Sequence, residues 1–313
     1  MTAEFDVSVV IVSWNTEAYL AGAVERARVA GQGMSVEVIV VDNDSSDGSA
    51  ILARGLPDLK VVVLEENVGF TRAANLGAAL AKGHYLLFLN PDVSMPPGSM
   101  SELRQSLDRQ PRAWAVTPTF LNVDGTPQPF WSRRPGPLSL FCCFTHRGRA
   151  IDRRLLGGRV GRRHHYADLG IPAKPVLIDG AGAACLLCPT DVFRSVGGFD
   201  ERFFNFFQDT DLFRRQGRSG QRLLGAGQVR VGHHRGVTFA RLDPVEAHGR
   251  FLRDLGLYAR DEPLVGRLAA GAAIRLELLG PRRRALRRWV RAEEVEPPRL
   301  DGSPTARPGP GRS

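Results

Sequence analysis

The sequence predicts an α/β fold: a doubly wound, mostly parallel sheet flanked by helices, with a helical extension at its C-terminal end. Three observations lead there. Short β-branched runs alternate with amphipathic segments through the first 120 residues. Runs such as Val9-Val-Ile-Val12 and Val38-Ile-Val-Val41 are apolar throughout, as suits strands covered on both faces. Each run also ends in polar residues, where an open parallel sheet receives its ligand.

In order, strands are expected at 7–13, 36–42, 60–64, 85–89 and 113–117, with helices in the gaps. The polar ends are Ser13-Trp14-Asn15, Asp42-Asn43-Asp44, Glu65-Glu66-Asn67 and Asn90-Pro91-Asp92. From 122 to 174 the pattern dissolves into Pro, Gly and Arg, read as a long excursion or an acceptor-side segment. Order returns with a strand at 176–178, then Asp179-Gly180-Ala-Gly182 and the apolar run to Cys188. A helix follows with Thr190 as its N-cap and Gly197-Gly198 as its stop. A helix at about 209–217, a strand at 222–231 and basic helices over 244–291 complete the prediction. The expected division is 1–240 as the α/β domain, with halves at 1–120 and 176–240 around an irregular insertion at 121–175. A basic helical extension at 241–294 and a disordered tail at 295–313 follow.

Lys and Arg number 42 against 33 Asp and Glu, a net charge of +9 that fits an anionic partner. Much of the excess lies late, in Arg282–Arg284, Arg287, Arg288 and Arg291, which speaks against nucleic acid as that partner. The same segment carries Leu286, Trp289 and Val290, so it reads either as a contact with an anionic membrane or as a solvated helix packed on the domain. The acidic start has no signal-peptide pattern, and the apolar stretch 264–279 is interrupted by Arg267, Arg275 and Glu277. A cytoplasmic protein is expected, with peripheral contact at the inner face of the plasma membrane as a further possibility. Cys185-x-x-Cys188 sits in an apolar run with no second such pair, so buried thiols are favoured over a metal or redox site.

Several polar clusters have both a bland reading and a chemical one. Asp44, Ser45 and Ser46 suit a helix N-cap, whereas Asp42 precedes them and can accept the imino N–H of a pyrimidine. Asn67, Gly69, Asn75 and Gly77 form either a tight turn and a decorated helix or a close approach to a ligand. Asn90-Pro91-Asp92 is a turn, or the carboxylate that holds Mg²⁺ or Mn²⁺ on a diphosphate. In Gly197–Asp211, Phe203, Phe204, Phe206 and Phe207 stand near Asp200, Asp209 and Asp211, as core and helix-start acids or as a general base beside a cleft. Of His233 and His234, adjacent at a strand end, at most one is expected to face a site.

Together, Val9–Asn15, Val40–Ser49, Asn67–Phe70, Leu89–Asp92, Gly197–Glu201 and Gln208–Leu212 resemble glycosyltransferase family 2, in particular its rhamnosyltransferase-like branch. The resemblance runs in order over about 7–238. It implies a GT-A fold, a nucleoside-diphosphate sugar donor, a divalent cation and an inverting displacement at the anomeric carbon. The donor side would comprise Ser13, Asn15, Asp42, Asp44, Asn67, Gly69, Asn75, Asn90 and Asp92. Asp209 would be the base, Gly180, Asp200, Gln208 and Asp211 the acceptor side, and Asp92 with His233 the metal ligands. Two departures stand out: a single acid in the Asn90-Pro91-Asp92 motif, and Gln208 where relatives carry Glu. dTDP-rhamnose is the first donor expected, with a cell-envelope glycan or lipid-linked acceptor. The alternative is a noncatalytic nucleotide- or glycan-binding partner in an envelope-synthesis complex.

Overall fold

A computed structural model describes residues 3–234, 243–280 and 283–291. The N-terminal half runs β1 (Phe5–Ser13), α1 (Glu17–Ala30), β2 (Val36–Asp42), α2 (Ser49–Gly55), β3 (Leu59–Val63), α3 (Phe70–Leu80), β4 (Gly83–Leu89), β5 (Val93–Ser94), α4 (Ser99–Asp108) and β6 (Ala113–Leu121). β7 (Trp131–Ser132), α5 (Pro137–Cys142), α6 (His146–Leu155) and α7 (Arg159–His164) follow, then β8 (Val176–Ile178), β9 (Gly180–Ala181), β10 (Cys185–Pro189) and α8 (Thr190–Ser195). The chain continues with α9 (Gln208–Gly217), β11 (Arg222–His233), α10 (Pro244–Arg260), α11 (Leu264–Glu277) and α12 (Arg283–Arg291).

The main sheet has the order β3-β2-β1-β4-β10-β6-β11-β5, with β8 also on β11. It is parallel through β3-β2-β1-β4 and again between β6 and β11. The antiparallel β10 is inserted between β4 and β6. Register places Ser13 opposite Asp42 and Asp42 opposite Val63, so the polar strand ends lie side by side on one rim.

Helices cover both faces. On one, Leu20, Val24 and Ala27 of α1 and Met100 and Leu103 of α4 pack against Val9, Ile11 and Leu87. On the other, Ala73, Ala74 and Ala78 of α3 meet Val10, Ile39 and Phe88. Gly77 lets α3 sit close: a Cβ there would run into Val10, so its small size serves helix–sheet packing and not a ligand. A third cluster joins Leu140, Phe203 and Phe207 to Leu255, Tyr258 and Ala270.

Local expectations change in three places. α2 starts at Ser49, not beside Asp44–Ser46, because Asn15 Oδ1 accepts the N–H groups of Ser46 (2.7 Å) and Asp47 (3.3 Å) and holds that loop away from helical geometry. Thr190 is the first residue of α8 and no cap; its hydroxyl donates to Gly83 O at 2.6 Å. The segment read as irregular holds three helices, of which α5 and α7 are six residues each, too short to show a period. Cys185 and Cys188 are buried free thiols in β10, and burial raises both above the ordinary thiol range. Leu286 is buried, so α12 packs that residue against the protein. Residues 295–313, Arg282 and the side chains of Arg283, Arg288, Trp289 and Arg291 lie outside the described structure. Among the described residues, no helix is long and apolar enough to cross a membrane.

Candidate active site

A cavity of about 350 Å³ opens at the rim where the parallel strands end. Val12 and Trp14 reach it from the end of β1, Asn43 from β2, Asn67 and Phe70 from the start of α3, and Asn90 and Pro91 from β4. Opposite stand Gly182–Ala184 and the segment Asn205–Thr210, with Phe130, Phe144 and Phe251 completing an aromatic wall. Its size lies within the range of small-molecule sites.

The segment before α9 is pinned by backbone hydrogen bonds. Asn75 clamps Phe199, its amide nitrogen donating to the carbonyl at 2.8 Å and its oxygen accepting the N–H at 3.0 Å. Asn205 Oδ1 accepts Phe70 N–H at 2.8 Å, and buried Asp254 accepts the N–H groups of Phe204, Asn205 and Phe206 at 3.1–3.3 Å. Burial pushes the Asp254 carboxyl up to about 6. Gly69 has φ +84°, and a Cβ there would stand 2.6 Å from Phe204 O, so only glycine fits against this segment.

Asp209 emerges from the pinned segment into the cavity. Its Oδ2 accepts Ala183 N–H at 3.3 Å and its Oδ1 accepts Thr210 N–H at 2.7 Å. Burial raises its carboxyl above the ordinary range, against the opposing pull of these hydrogen bonds. Beside it, the buried Gln208 Oε1 has no hydrogen-bond partner among the described residues.

Asp92 and His233 are both buried, Oδ1 and Nε2 being 3.6 Å apart. β5 pairs with the end of β11 and sets Val93 opposite His233, which brings them together. Gln128 Nε2 donates to His233 O at 2.8 Å, which fixes its amide so that Oε1 faces His233 Nδ1, also at 2.8 Å. The ring proton therefore lies on Nδ1, and Nε2 presents a lone pair towards Asp92. The 3.6 Å gap is too long for a hydrogen bond. It is short enough for one cation, bound at about 2 Å to each atom, to touch both. This donor set fits Mg²⁺ or Mn²⁺. His234 is exposed.

Of the residues expected from sequence, Asn67, Asn90, Gln208 and Asp209 line the cavity. Asp42 is fully buried, its two oxygens accepting the N–H (3.0 Å) and hydroxyl (2.7 Å) of Ser45. Ser13 pairs with Thr16 at 2.9 Å, and Asn15 ties the loop before α2. Asp44 is exposed with φ +62°. Asn75 clamps Phe199 and does not line the cavity. Asp211 turns the other way on α9, buried against Arg214 and Arg215, and Asp200 is tied to Arg202. Gly180 lines a separate hollow with Arg133, Arg134 and Arg222. Sequence reasoning missed Asn43, Gln128, Phe130, Phe144 and Phe251. Asn43 lay inside a recognised motif; the others carry no local signal.

Residues 8–166 match the profile of Glycosyl transferase family 2. The chain belongs to that family. An N-acetylglucosaminyl-diphospho-decaprenol L-rhamnosyltransferase of Mycobacterium tuberculosis is 28% identical over 285 residues, 83% of this chain and 89% of the relative. Among solved structures, S. aureus TarS 1–349 in complex with UDP-GlcNAc aligns with a TM-score of 0.51 at 16% identity, covering 88% of this chain and 74% of that one. Mannosyltransferase PcManGT from Pyrobaculum calidifontis, in complex with GDP-Man and Mn²⁺, gives a TM-score of 0.51 at 16% identity, covering 92% and 74%. This family 2 protein has the GT-A fold expected of it. It is a glycosyltransferase that draws its sugar from a nucleotide donor.

Proposed function

We propose that the protein is an inverting, metal-dependent transferase that moves rhamnose from dTDP-rhamnose to a hydroxyl of a lipid-linked cell-envelope acceptor, working at the cytoplasmic side. The observation that carries this reading is the placement of Asp209, a half-buried carboxylate with a raised pKa, in the cavity that also receives the strand-end residues Asn43, Asn67 and Asn90. The rhamnosyltransferase relative, whose name specifies a diphospho-decaprenol acceptor, supplies the sugar and acceptor class. The aromatic wall suits the C6 methyl group of a 6-deoxy sugar.

Residues 1–240 form the catalytic unit in this reading, donor half first, and 241–294 its extension. Asn43 and Asn67 border the donor in this reading, while Asp42, buried and held by Ser45, fixes the loop beside them without lining the cavity. Asp209 takes the acceptor's hydroxyl proton as that oxygen attacks the anomeric carbon, and the bond from that carbon to the diphosphate oxygen breaks on the opposite face. Asp92 and His233 would hold the divalent cation, which supplies charge stabilisation to the departing diphosphate.

The test is release of nucleoside diphosphate from UDP-, dTDP- and GDP-sugars, with and without Mn²⁺, in the presence of a polyprenyl-diphospho-N-acetylglucosamine acceptor. Metal-dependent turnover of dTDP-rhamnose supports the proposal; turnover of a different sugar sinks the rhamnose assignment. Gln208 favours a second reading, a noncatalytic nucleotide-binding partner. Donor binding, seen as thermal stabilisation, without transfer to any acceptor would select it.

A further inference from the structure

Helix α11 is inside out. Its inward positions are Gly266, Ala270, Ala273 and Glu277, three small residues and an acid. Its outward positions carry the large aliphatic side chains: Leu264, Val265 and Leu268 are 65%, 64% and 64% exposed, and Leu279, in the turn just beyond, is 65% exposed. At 100° per residue these four and exposed Ala272 fall within an arc of about 100°. A helix that only had to pack on a domain in water would bury that arc. Gly266 abuts Leu140 of α5, and Leu138 of the same short helix is a further exposed leucine.

The charges bordering this stripe have one sign. Arg275 lies within the arc and Arg267 beside it, both exposed. The acids of α11 and its approach are engaged elsewhere: Glu277 is buried with His146 and His248, Glu262 with Arg214, and Asp261 pairs with Arg202 and Arg214.

We propose that α11 lies in the interface of an anionic lipid bilayer, its aliphatic arc among the acyl-chain ends and its arginines at the headgroup phosphates. An apolar arc rimmed by arginine is what such a surface selects. Pairing with a second copy would set the arginines of one α11 beside those of the other and leave the positive charge uncompensated. The surface also communicates with the cavity. Ala270, on the inner face, belongs to the cluster that contains Phe207 and supports Phe144, Phe206 and Phe251, all four of which line the cavity. A lipid-linked acceptor held in the bilayer would thus arrive beside the aromatic wall. That purpose rests on the acceptor class proposed above, whereas the lipid contact itself stands on the helix.

The experiment is co-sedimentation of the full chain with vesicles of equimolar phosphatidylglycerol and phosphatidylcholine, or of phosphatidylcholine alone. Leu264→Glu/Leu268→Glu is compared with Ile51→Glu, which adds an acid at another exposed apolar position, on α2. The expected result is binding to the anionic vesicles that falls roughly tenfold or more in the α11 variant and little in Ile51→Glu. Leu268→Ser serves as a milder variant, and unchanged thermal unfolding confirms that each is folded. Absence of binding to anionic vesicles, or equal loss in Ile51→Glu, overturns the proposal. So does a dimer in sedimentation velocity that the α11 substitutions dissociate. Thermal stabilisation of the same preparations by dTDP-rhamnose separates the two readings: vesicle binding without dTDP-rhamnose binding leaves the membrane surface standing and removes the rhamnosyl-transfer reading, and the converse removes only the surface.

Discussion

Gln128 grips His233 at two points, its amide nitrogen donating to the backbone carbonyl and its oxygen accepting from the ring Nδ1, each at 2.8 Å. The first contact fixes the amide and the second fixes the imidazole tautomer, so the ring's free nitrogen faces Asp92 across 3.6 Å. A partner of this kind sets both the direction and the basicity of a metal-ligating histidine. With Asp92 and His233 holding the cation as proposed, Gln128→Leu is expected to weaken metal affinity about 10–100-fold. Titrating Mn²⁺ against donor-induced stabilisation measures it; an unchanged midpoint would remove Gln128 from the metal's surroundings.

Asp209→Asn keeps the shape of the side chain and removes the proposed base. Turnover should fall about 10²- to 10⁴-fold while donor binding persists. The pH dependence has a definite sign. The base works deprotonated and burial raises its pKa, so kcat/KM should fall on acidification through a pKa above the ordinary 3.8. An acid limb at the ordinary value would mean that another group is titrating.

Two residues along, Asp211 predicts the opposite phenotype. It is buried between Arg214 and Arg215, and Arg214 is buried as well. Removing one partner leaves buried positive charge uncompensated, so Asp211→Ala should cost about 3–5 kcal/mol of stability. Urea denaturation tests this: a cost below about 1 kcal/mol would place the pair with ordinary surface ion pairs.

Gly33 and Gly69 have nearly the same positive φ, +83° and +84°, and Gly69 combines it with an extended ψ of 161°. A Cβ at Gly33 meets nothing within 4 Å, whereas one at Gly69 meets the backbone oxygen of Phe204 at 2.6 Å. Gly33→Ala should therefore cost only the conformational term of about 1–2 kcal/mol. Gly69→Ala should exceed it and also impair donor binding, by displacing the segment that leads to Asp209. Equal losses in thermal stability would show that the Phe204 segment yields freely.

What the sequence made legible was the part written in contiguous residues. Val9–Val12 and Val38–Val41 are strands because nothing polar interrupts them, and Asn67, Asn90 and Asp209 reach the cavity because they follow strand or helix boundaries on one rim. Residues whose job is set by a distant partner were harder to read. Asn75 clamps Phe199, 124 positions away, and Gln128 holds His233, 105 positions away, and neither spacing leaves a local pattern. Asp211 matched a family motif yet belongs to an ion-pair network, since two positions along a helix turn the side chain by about 200° and send Asp209 and Asp211 in different directions. The inversion of α11 was hidden too, because its mixture of leucine, alanine and arginine does not reveal which side faces the protein.

Gln208 decides between a working transferase and a silent one. Its Oε1 is buried, borders the cavity and has no hydrogen-bond partner among the described residues, and the preceding Phe207 is held at φ +63°. Gln208→Glu would put a second carboxylate beside the base. Like-charge repulsion in a buried setting raises the pKa of the pair, so the acid limb of kcat/KM should move further up in pH than in the unmodified protein. If Asp209 is the base and Gln208 spares it a charged neighbour, the substitution lowers the rate at neutral pH and the deficit narrows as pH rises. If the glutamine has silenced the site, Gln208→Glu should instead create transfer where the unmodified chain shows donor binding alone. A pH profile of both proteins, with donor and acceptor saturating, separates these outcomes, and a limb that does not move would disconnect Gln208 from Asp209.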